Sequence, residues 1–255
     1  HFWCPDVFEG ASIDVSAFLS VASKGAALLL LLRVAANIPS PTFAIVIGIL
    51  GAITATIGNS GAFVQNNIKR LLGYSSIAHA GYILCAIAAA MIAPGDTTQA
   101  VLVYLLIYLF MNLGAFSVTA LVGESMDDFA GLGRRSPMLA LCMTACLVSL
   151  IGLPPLAGFN AKLNVMILLG SAGGWCWALV AAIGINTVLS MYFYLRIVKA
   201  MYFNEGDARP SRAHWPASIL AGMCAIVLVV LFIGFGPVAR VAAHHGTLLS
   251  STAAR

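Results

Sequence analysis

SLIGLPPLAGFNAKLNVMILL, residues 149–169, decides how this chain must be read. It is apolar along nearly its whole length, yet it holds adjacent prolines, Pro154 and Pro155, two glycines, Gly152 and Gly158, and one cation, Lys162. Proline lacks a backbone donor and collides with the preceding turn, so the pair cannot lie in an undisturbed helix. An ammonium in hydrocarbon is costly unless partners or water meet it. So close together, the two violations predict a site.

The surrounding composition sets the class. Of 255 residues, 61% are hydrophobic and 9% charged, where a soluble domain carries about 25% charged residues. So few charges cannot cover a water-facing surface, and the apolar runs are long enough for helices rather than barrel strands. Spans are expected at 15–35, 43–63, 73–93, 99–122, 138–169, 175–198 and 217–238. Most match the ~20 residues that cross a bilayer. The fold class is therefore all-α, a polytopic transmembrane bundle of seven helices. The fifth, 138–169, is too long for one straight crossing and is expected to break at Pro154–Pro155 into two half-helices. The chain reads as one membrane domain, 1–255, with a segment at 1–14 outside the membrane, spans over 15–238 and a tail at 239–255.

Charge gives orientation. With the side of the N-terminal segment called side A, that side carries Lys69, Arg70, Arg134, Arg135, Arg196, Lys199, Arg209 and Arg212, against Arg33, Arg240 and Arg255 on side B. This is the bias of cytoplasmic or matrix loops. The net charge of +4 thus speaks to membrane orientation and not to nucleic acid. Lys69 and Arg70, at a helix entrance, read as interfacial anchors. Trp175, Trp177 and Trp215, near span ends, fit an aromatic belt. All acids, Asp207 among them, fall in loops or at helix ends.

The ionisable residues left inside spans are Lys24, Lys162 and His79. Lys24 lies too deep in its span to snorkel to the headgroups. It either faces a hydrated interior and exchanges protons or is a structural cation paired with an acid on another helix. Lys162 follows the proline break. Burial disfavours its charge, while the free carbonyls and space for water at the break favour it. A lysine so balanced changes protonation near neutral pH; alternatively the break is a packing kink and the lysine stays charged. His79 titrates near neutrality with little help, and Ser75, Ser76, Tyr74 and Tyr82 surround it with hydroxyls, a polar wire within one helix or a simply hydrogen-bonded histidine. Asn112 and Asn186 line a water path or bridge helices. The six cysteines, Cys142 and Cys146 at i, i+4 included, read as small packing residues with no metal or disulfide framework. No phosphate-binding loop, dinucleotide fingerprint or nucleophile elbow is present.

Four stretches resemble one family. NNIKRLLGYSSIAHAGY (66–82) resembles the signature of the antiporter-like subunits of respiratory complex I, and YLFMNLGAF (108–116) narrows the likeness to subunit 2, chain N. HFWCPDVFEGA (1–11) resembles the family's His-x-Trp-x-Pro-Asp-Val-Tyr-x-Gly-Ala, and GLPPLAGFNAKL (152–163) its Gly-x-Pro-x-x-Gly-Phe-x-x-Lys-Phe. The resemblance implies a fold of fourteen helices in two inverted repeats, of which this chain corresponds to helices eight to fourteen. It implies that Lys24 is the central proton carrier and Lys162 belongs to the exit half-channel. Ser12, Ile13 and Asp14 depart from the family's prolines, and Asn160 and Leu163 from its apolar residue and Phe; neither change removes a lysine.

The expectation is a proton-translocating membrane-arm subunit of NADH:ubiquinone oxidoreductase, with Lys24, Lys162 and His79 as transfer residues and Ser75, Ser76, Tyr82 and Asn112 as water-path residues. No cofactor is expected in this chain; FMN, iron–sulfur clusters and ubiquinone would belong to other subunits. The expected partners are other complex I membrane-arm subunits, membrane lipids and a separate chain supplying helices one to seven of a split subunit. The expected location is the mitochondrial inner membrane with the N-terminal segment on the matrix side, or alternatively a bacterial cytoplasmic membrane. The rival readings are a piece of a multi-subunit cation/proton antiporter and a structural bundle with an inactive channel.

Overall fold

The computed structural model describes residues 3–38, 40–91, 93–206 and 215–251. Arg209, Arg212, Arg255 and Asp207 lie outside the described residues, as do His1 and Phe2 of the first motif. The described regular structure is helical, in chain order α1 (Cys4–Gly10), α2 (Ile13–Phe18), α3 (Lys24–Ala36), α4 (Pro41–Ala62), α5 (Ile68–Ala88), α6 (Pro94–Val122), α7 (Leu132–Arg135), α8 (Pro137–Ile151), α9 (Ala157–Ala172), α10 (Cys176–Phe203), α11 (Trp215–Ile233) and α12 (Phe235–Ser251). A π-helical turn, Leu19–Ser23, joins α2 to α3, so that Ile13–Ala36 is one run of crossing length. Six runs of the described chain are long and apolar enough to cross a membrane. The half-helices α8 and α9 replace the expected fifth span.

Where the observed ends differ from the expected ones, the reason is local chemistry. The third span begins at Ile68 rather than 73, because Asn67 caps α5 by accepting from the Arg70 amide and the cations Lys69 and Arg70 are taken into the helix. The sixth runs on to Phe203, since its last turns carry Arg196 and Lys199 at the end of the bundle. The last expected span, 217–238, overshoots: α11 stops at Ile233, and Gly234, Gly236 and Pro237 start a new helix, α12, which packs against α6. The tail from 239 is helical to Ser251.

The ends assigned to side A converge. The start of α5 meets the loop after α6 through Ile68 N–H to the Glu124 carbonyl and Met126 N–H to that of Asn66. Arg196 on α10 donates to the carbonyls of Phe63 and Gln65, the former at 2.9 Å. Lys69 and Arg70 are not free anchors. Lys69 donates to the Ala11 carbonyl at 2.9 Å and pairs with Glu124 at 2.8 Å, while Arg70 takes Glu9 at 2.6 Å and Asp6 at 3.0 Å. Because Asp6 and Glu9 lie on α1, the Arg70 pairs pin the N-terminal segment, and Cys4, Pro5 and Phe8 are buried against α5. Trp177 and Trp215 are exposed, but Trp175 turns inward over Gly48.

Helix α5 is the hub. Nearly all of it is buried, and its most extensive neighbour is α4. The two approach backbone to backbone. A Cβ on Gly81 would lie 2.6 Å from the Gly51 carbonyl oxygen and 2.8 Å from the Ala55 Cα, neither of which can yield like a side chain. Small residues at such crossings replace the missing hydrophobic drive between helices in lipid. Gly81→Val is therefore expected to destabilise the bundle by about 1–3 kcal/mol, the range for overpacking. Thermal release of this chain from the solubilised assembly measures it, with Gly184→Ala, which meets open space, as the variant expected to leave it unchanged.

Candidate functional site: a buried line of amines, imidazole and phenols

The break between α8 and α9 builds the position of Lys162. Gly152 ends α8 at φ +84°, a left-handed value suited to glycine. Its missing Cβ matters again, because one there would lie 2.7 Å from Cδ of Lys162; the lysine side chain passes over this glycine. Gly158 lets α9 start against α8, where Ser149 Oγ accepts from its amide at 3.0 Å and caps the helix from across the break. The last carbonyls of α8 have no partner within their own helix. Lys162 Nζ takes one of them, Ile151 O, at 2.8 Å. A cation is favoured there by the negative end of the helix dipole. Thr187 Oγ1 lies 3.5 Å from the amine and the Tyr82 ring 4.7 Å. Pro154 and Pro155 are exposed on the surface of this chain, not within its core; having no N–H, they leave no unpaired donor there.

Lys24 follows the π turn, in which the backbone gains a residue and the following face is re-aimed. Ser16, Ser20 and Ser23 bond back to carbonyls one turn earlier around it. The amine is buried. It donates to Cys4 Sγ at 3.3 Å and lies 5.3 Å from the centre of the Phe8 ring. The expected alternative of an acid on another helix is not met: among the described residues no carboxylate stands within ion-pair distance of Lys24 or of Lys162.

Between the amines lies His79, also buried. Its Nδ1 is hydrogen-bonded to the Tyr104 hydroxyl at 2.9 Å, and the rings of Tyr82, Tyr104 and Tyr108 surround it at 5.5, 5.9 and 5.1 Å. Both lysines fall within its electrostatic reach, and the Leu150 carbonyl of α8 faces it. Tyr82 touches both His79 and Lys162, and Tyr108 stands within electrostatic reach of Cys4. The structure thus brings Lys24, Cys4, Tyr108, His79, Tyr82 and Lys162 into one line.

The serines do not wire α5 along its own axis. Ser75 bonds the Tyr194 hydroxyl of α10 and Ser76 that of Tyr108 on α6, at 2.6 Å. Tyr82 receives Asn59 Nδ2 at 3.0 Å, and the same amide donates to Asn186 Oδ1 at 2.9 Å, while Asn186 donates to Thr56 at 3.1 Å. Asn186 is therefore a bridge between helices. Asn112 bonds the Tyr108 carbonyl of its own helix and its side chain also meets the Tyr108 hydroxyl, while its buried side-chain oxygen takes no hydrogen bond. Cys4, Asn59, Tyr104, Tyr194 and Thr187 were not singled out by sequence. A mid-span Tyr or Asn signals burial of a polar group, but which helix answers it does not appear in one dimension. All six cysteines are buried and free, and Cys4 alone among them meets a lysine.

These features define a class: a polytopic helical membrane bundle whose discontinuous helix carries a buried amine. The model of the NADH:quinone oxidoreductase/Mrp antiporter transmembrane family matches residues 1–190. NADH-quinone oxidoreductase subunit N 2 of Solidesulfovibrio magneticus is 40% identical over 245 residues, 93% of this chain and 50% of that protein. Subunit N of Trichlorobacter lovleyi is 43% identical over 217 residues, 81% of this chain and 43% of its own. A chain of respiratory complex I from Thermus thermophilus with bound aureothin superposes with a TM-score of 0.82 at 32% identity, over 94% of this chain and 54% of that one. One of the Mrp complex from Dietzia sp. shares the fold at a TM-score of 0.88 and 20% identity, over 98% and 56%. The chain belongs to the NADH:quinone oxidoreductase/Mrp antiporter transmembrane family, as its four motifs imply. It spans about half the length of the curated relatives it matches.

Asn59→Ala, which removes the amide that donates to both the Tyr82 hydroxyl and Asn186, is expected to destabilise the bundle by about 1–3 kcal/mol. Asn112→Ala is expected to have a smaller effect, because Asn112 bonds only its own helix. Thermal release of the chain from the solubilised assembly compares the two.

Proposed function

We propose that this chain forms the second half of a proton-translocating membrane-arm subunit of an NADH:quinone oxidoreductase, corresponding to the later helices of subunit N. Protons enter from side A, load Lys24, pass by way of His79 to Lys162 and leave toward side B. The observation that carries this reading is the buried line itself, in which two amines that can gain or lose a proton are joined through an imidazole and phenols. Each amine is held by neutral acceptors rather than carboxylates, an arrangement that leaves its charge free to change. Redox energy released elsewhere would act by moving neighbouring charges. One pKa unit corresponds to about 1.4 kcal/mol of differential interaction, so modest movements suffice.

The chain carries no redox centre in this reading; flavin, iron–sulfur clusters and quinone belong to partner subunits of the membrane and peripheral arms. The bacterial origin of the relatives named above favours a bacterial cytoplasmic membrane over the mitochondrial inner membrane, with side A facing the cytoplasm. Whichever polypeptide supplies the part that matches the relatives' first half, it is expected to pack beside α1 and complete the pathway into Lys24.

Proton transfer by a positioned group is worth ~10²–10⁴-fold. Lys24→Ala and Lys162→Ala in the assembled complex are therefore each expected to lower the protons moved per NADH by this subunit's share, measured in inverted vesicles. Wild-type stoichiometry in both variants would leave a structural bundle as the better reading. Purification without flavin and iron–sulfur subunits would favour a cation/proton antiporter.

A further inference from the structure

We propose that Cys4 is a positioning residue for Lys24, its thiol accepting a hydrogen bond from the ammonium and donating one to the free amine. This rests on the reading of Lys24 as a proton carrier and adds a component to it. Cys4 is wholly buried on α1. Its Sγ lies 3.3 Å from Lys24 Nζ and 3.8 Å from the Gly73 carbonyl of α5. The sulfur therefore stands between the helix that carries the amine and the helix that carries His79.

The two lysines of the line differ in their partners. Lys162 has two oxygen acceptors, whereas Lys24 hydrogen-bonds to sulfur and faces the Phe8 ring. The nearby carboxylates are taken: Asp6 and Glu9 by Arg70, Glu124 by Lys69. The other titratable groups near the pair are His79 of α5, within reach of Lys24, and Tyr108 of α6, within reach of Cys4. A carboxylate at that distance would hold the amine in its charged form. A thiol is both a weak donor and a weak acceptor, so it serves the amine before and after the proton leaves. On deprotonation of Lys24 the S–H turns from the Gly73 carbonyl toward Nζ. No covalent bond changes at Cys4, and the proton that moves on is the lysine's. Arg70, Lys69 and Ser16, which donates to the Phe8 carbonyl at 3.1 Å, fasten α1 and so fix the sulfur.

The test compares Cys4→Ala, Cys4→Ser and Lys24→Met in the assembled complex. Cys4→Ala is expected to cut the translocation that Lys24→Met abolishes by about fivefold, one hydrogen bond's worth. Cys4→Ser, which keeps a donor and an acceptor, is expected to restore most of it. Infrared spectroscopy of the same complexes supplies a readout independent of activity and of the yield of Cys4→Ala. The S–H stretching band that disappears in Cys4→Ser is expected to shift in Lys24→Met. A Cys4→Ala complex that translocates normally, a Cys4→Ser complex as impaired as Cys4→Ala, or an S–H band indifferent to Lys24→Met overturns the proposal. Should Lys24→Met itself translocate normally, the proton-carrier reading falls with it; a defective Lys24→Met beside a normal Cys4→Ala removes Cys4 alone.

Discussion

Two primary amines inside an apolar bundle impose the condition that the rest of the structure meets. Each must find polar partners within the protein, because hydrocarbon offers none. A continuous α-helix commits each interior carbonyl to the amide four residues on, so that an interior carbonyl has only its second lone pair to offer. The chain creates acceptors by interrupting its helices. At Lys162 the break releases the end of α8, and Ile151 supplies the acceptor. At Lys24 the helix carries a π turn, and a thiol comes from a separate short helix. In both places an aromatic ring covers another side of the amine, an attraction that strengthens where water is excluded.

The same economy organises the space between the amines. Helix α5 carries His79, Tyr82, Ser75 and Ser76, whose partners lie on three neighbours: His79 and Ser76 meet α6, Tyr82 meets α4 and Ser75 meets α10. These four side chains are thereby hydrogen-bonded across helix interfaces, which ties the packing of the bundle to the geometry of the line. Close approach of α4 and α5 through glycine brings Asn59 to Tyr82. Ion pairs at the side A end clamp α1 and bring Cys4 to Lys24. Packing, capping and chemistry are therefore one problem in this chain, and a change in a glycine or an end-of-helix arginine bears on the amines as well as on stability.

Much of the architecture was legible in the residues. Low charge with long apolar runs requires membrane helices, and Pro154–Pro155 requires a break in the fifth. The four motifs point to the family that the comparisons bear out. Charge placement anticipated which helix ends meet, and Lys69 and Arg70 do stand where α5 enters; their engagement with α1 and the loop after α6 was hidden, because ion-pair partners lie far apart in the chain. Hydropathy alone ran the last span through Gly234 to residue 238, since apolar residues continue across a backbone discontinuity that only the glycines and Pro237 mark.

By itself the sequence determined the class of fold, the site of the helix break and the identity of the buried ionisable groups, because these follow from transfer energies and from proline's missing donor, both properties of local composition. Only the tertiary structure decided the partners: that Lys24 meets a sulfur rather than an acid, that Asn186 bridges helices, and that Tyr82 joins His79 to Lys162. The physical reason is rotational. A one-residue π turn or the angle at a broken helix re-aims every side chain beyond it, so which buried groups touch depends on helix phase and packing, quantities that a linear pattern of apolar and polar residues does not contain.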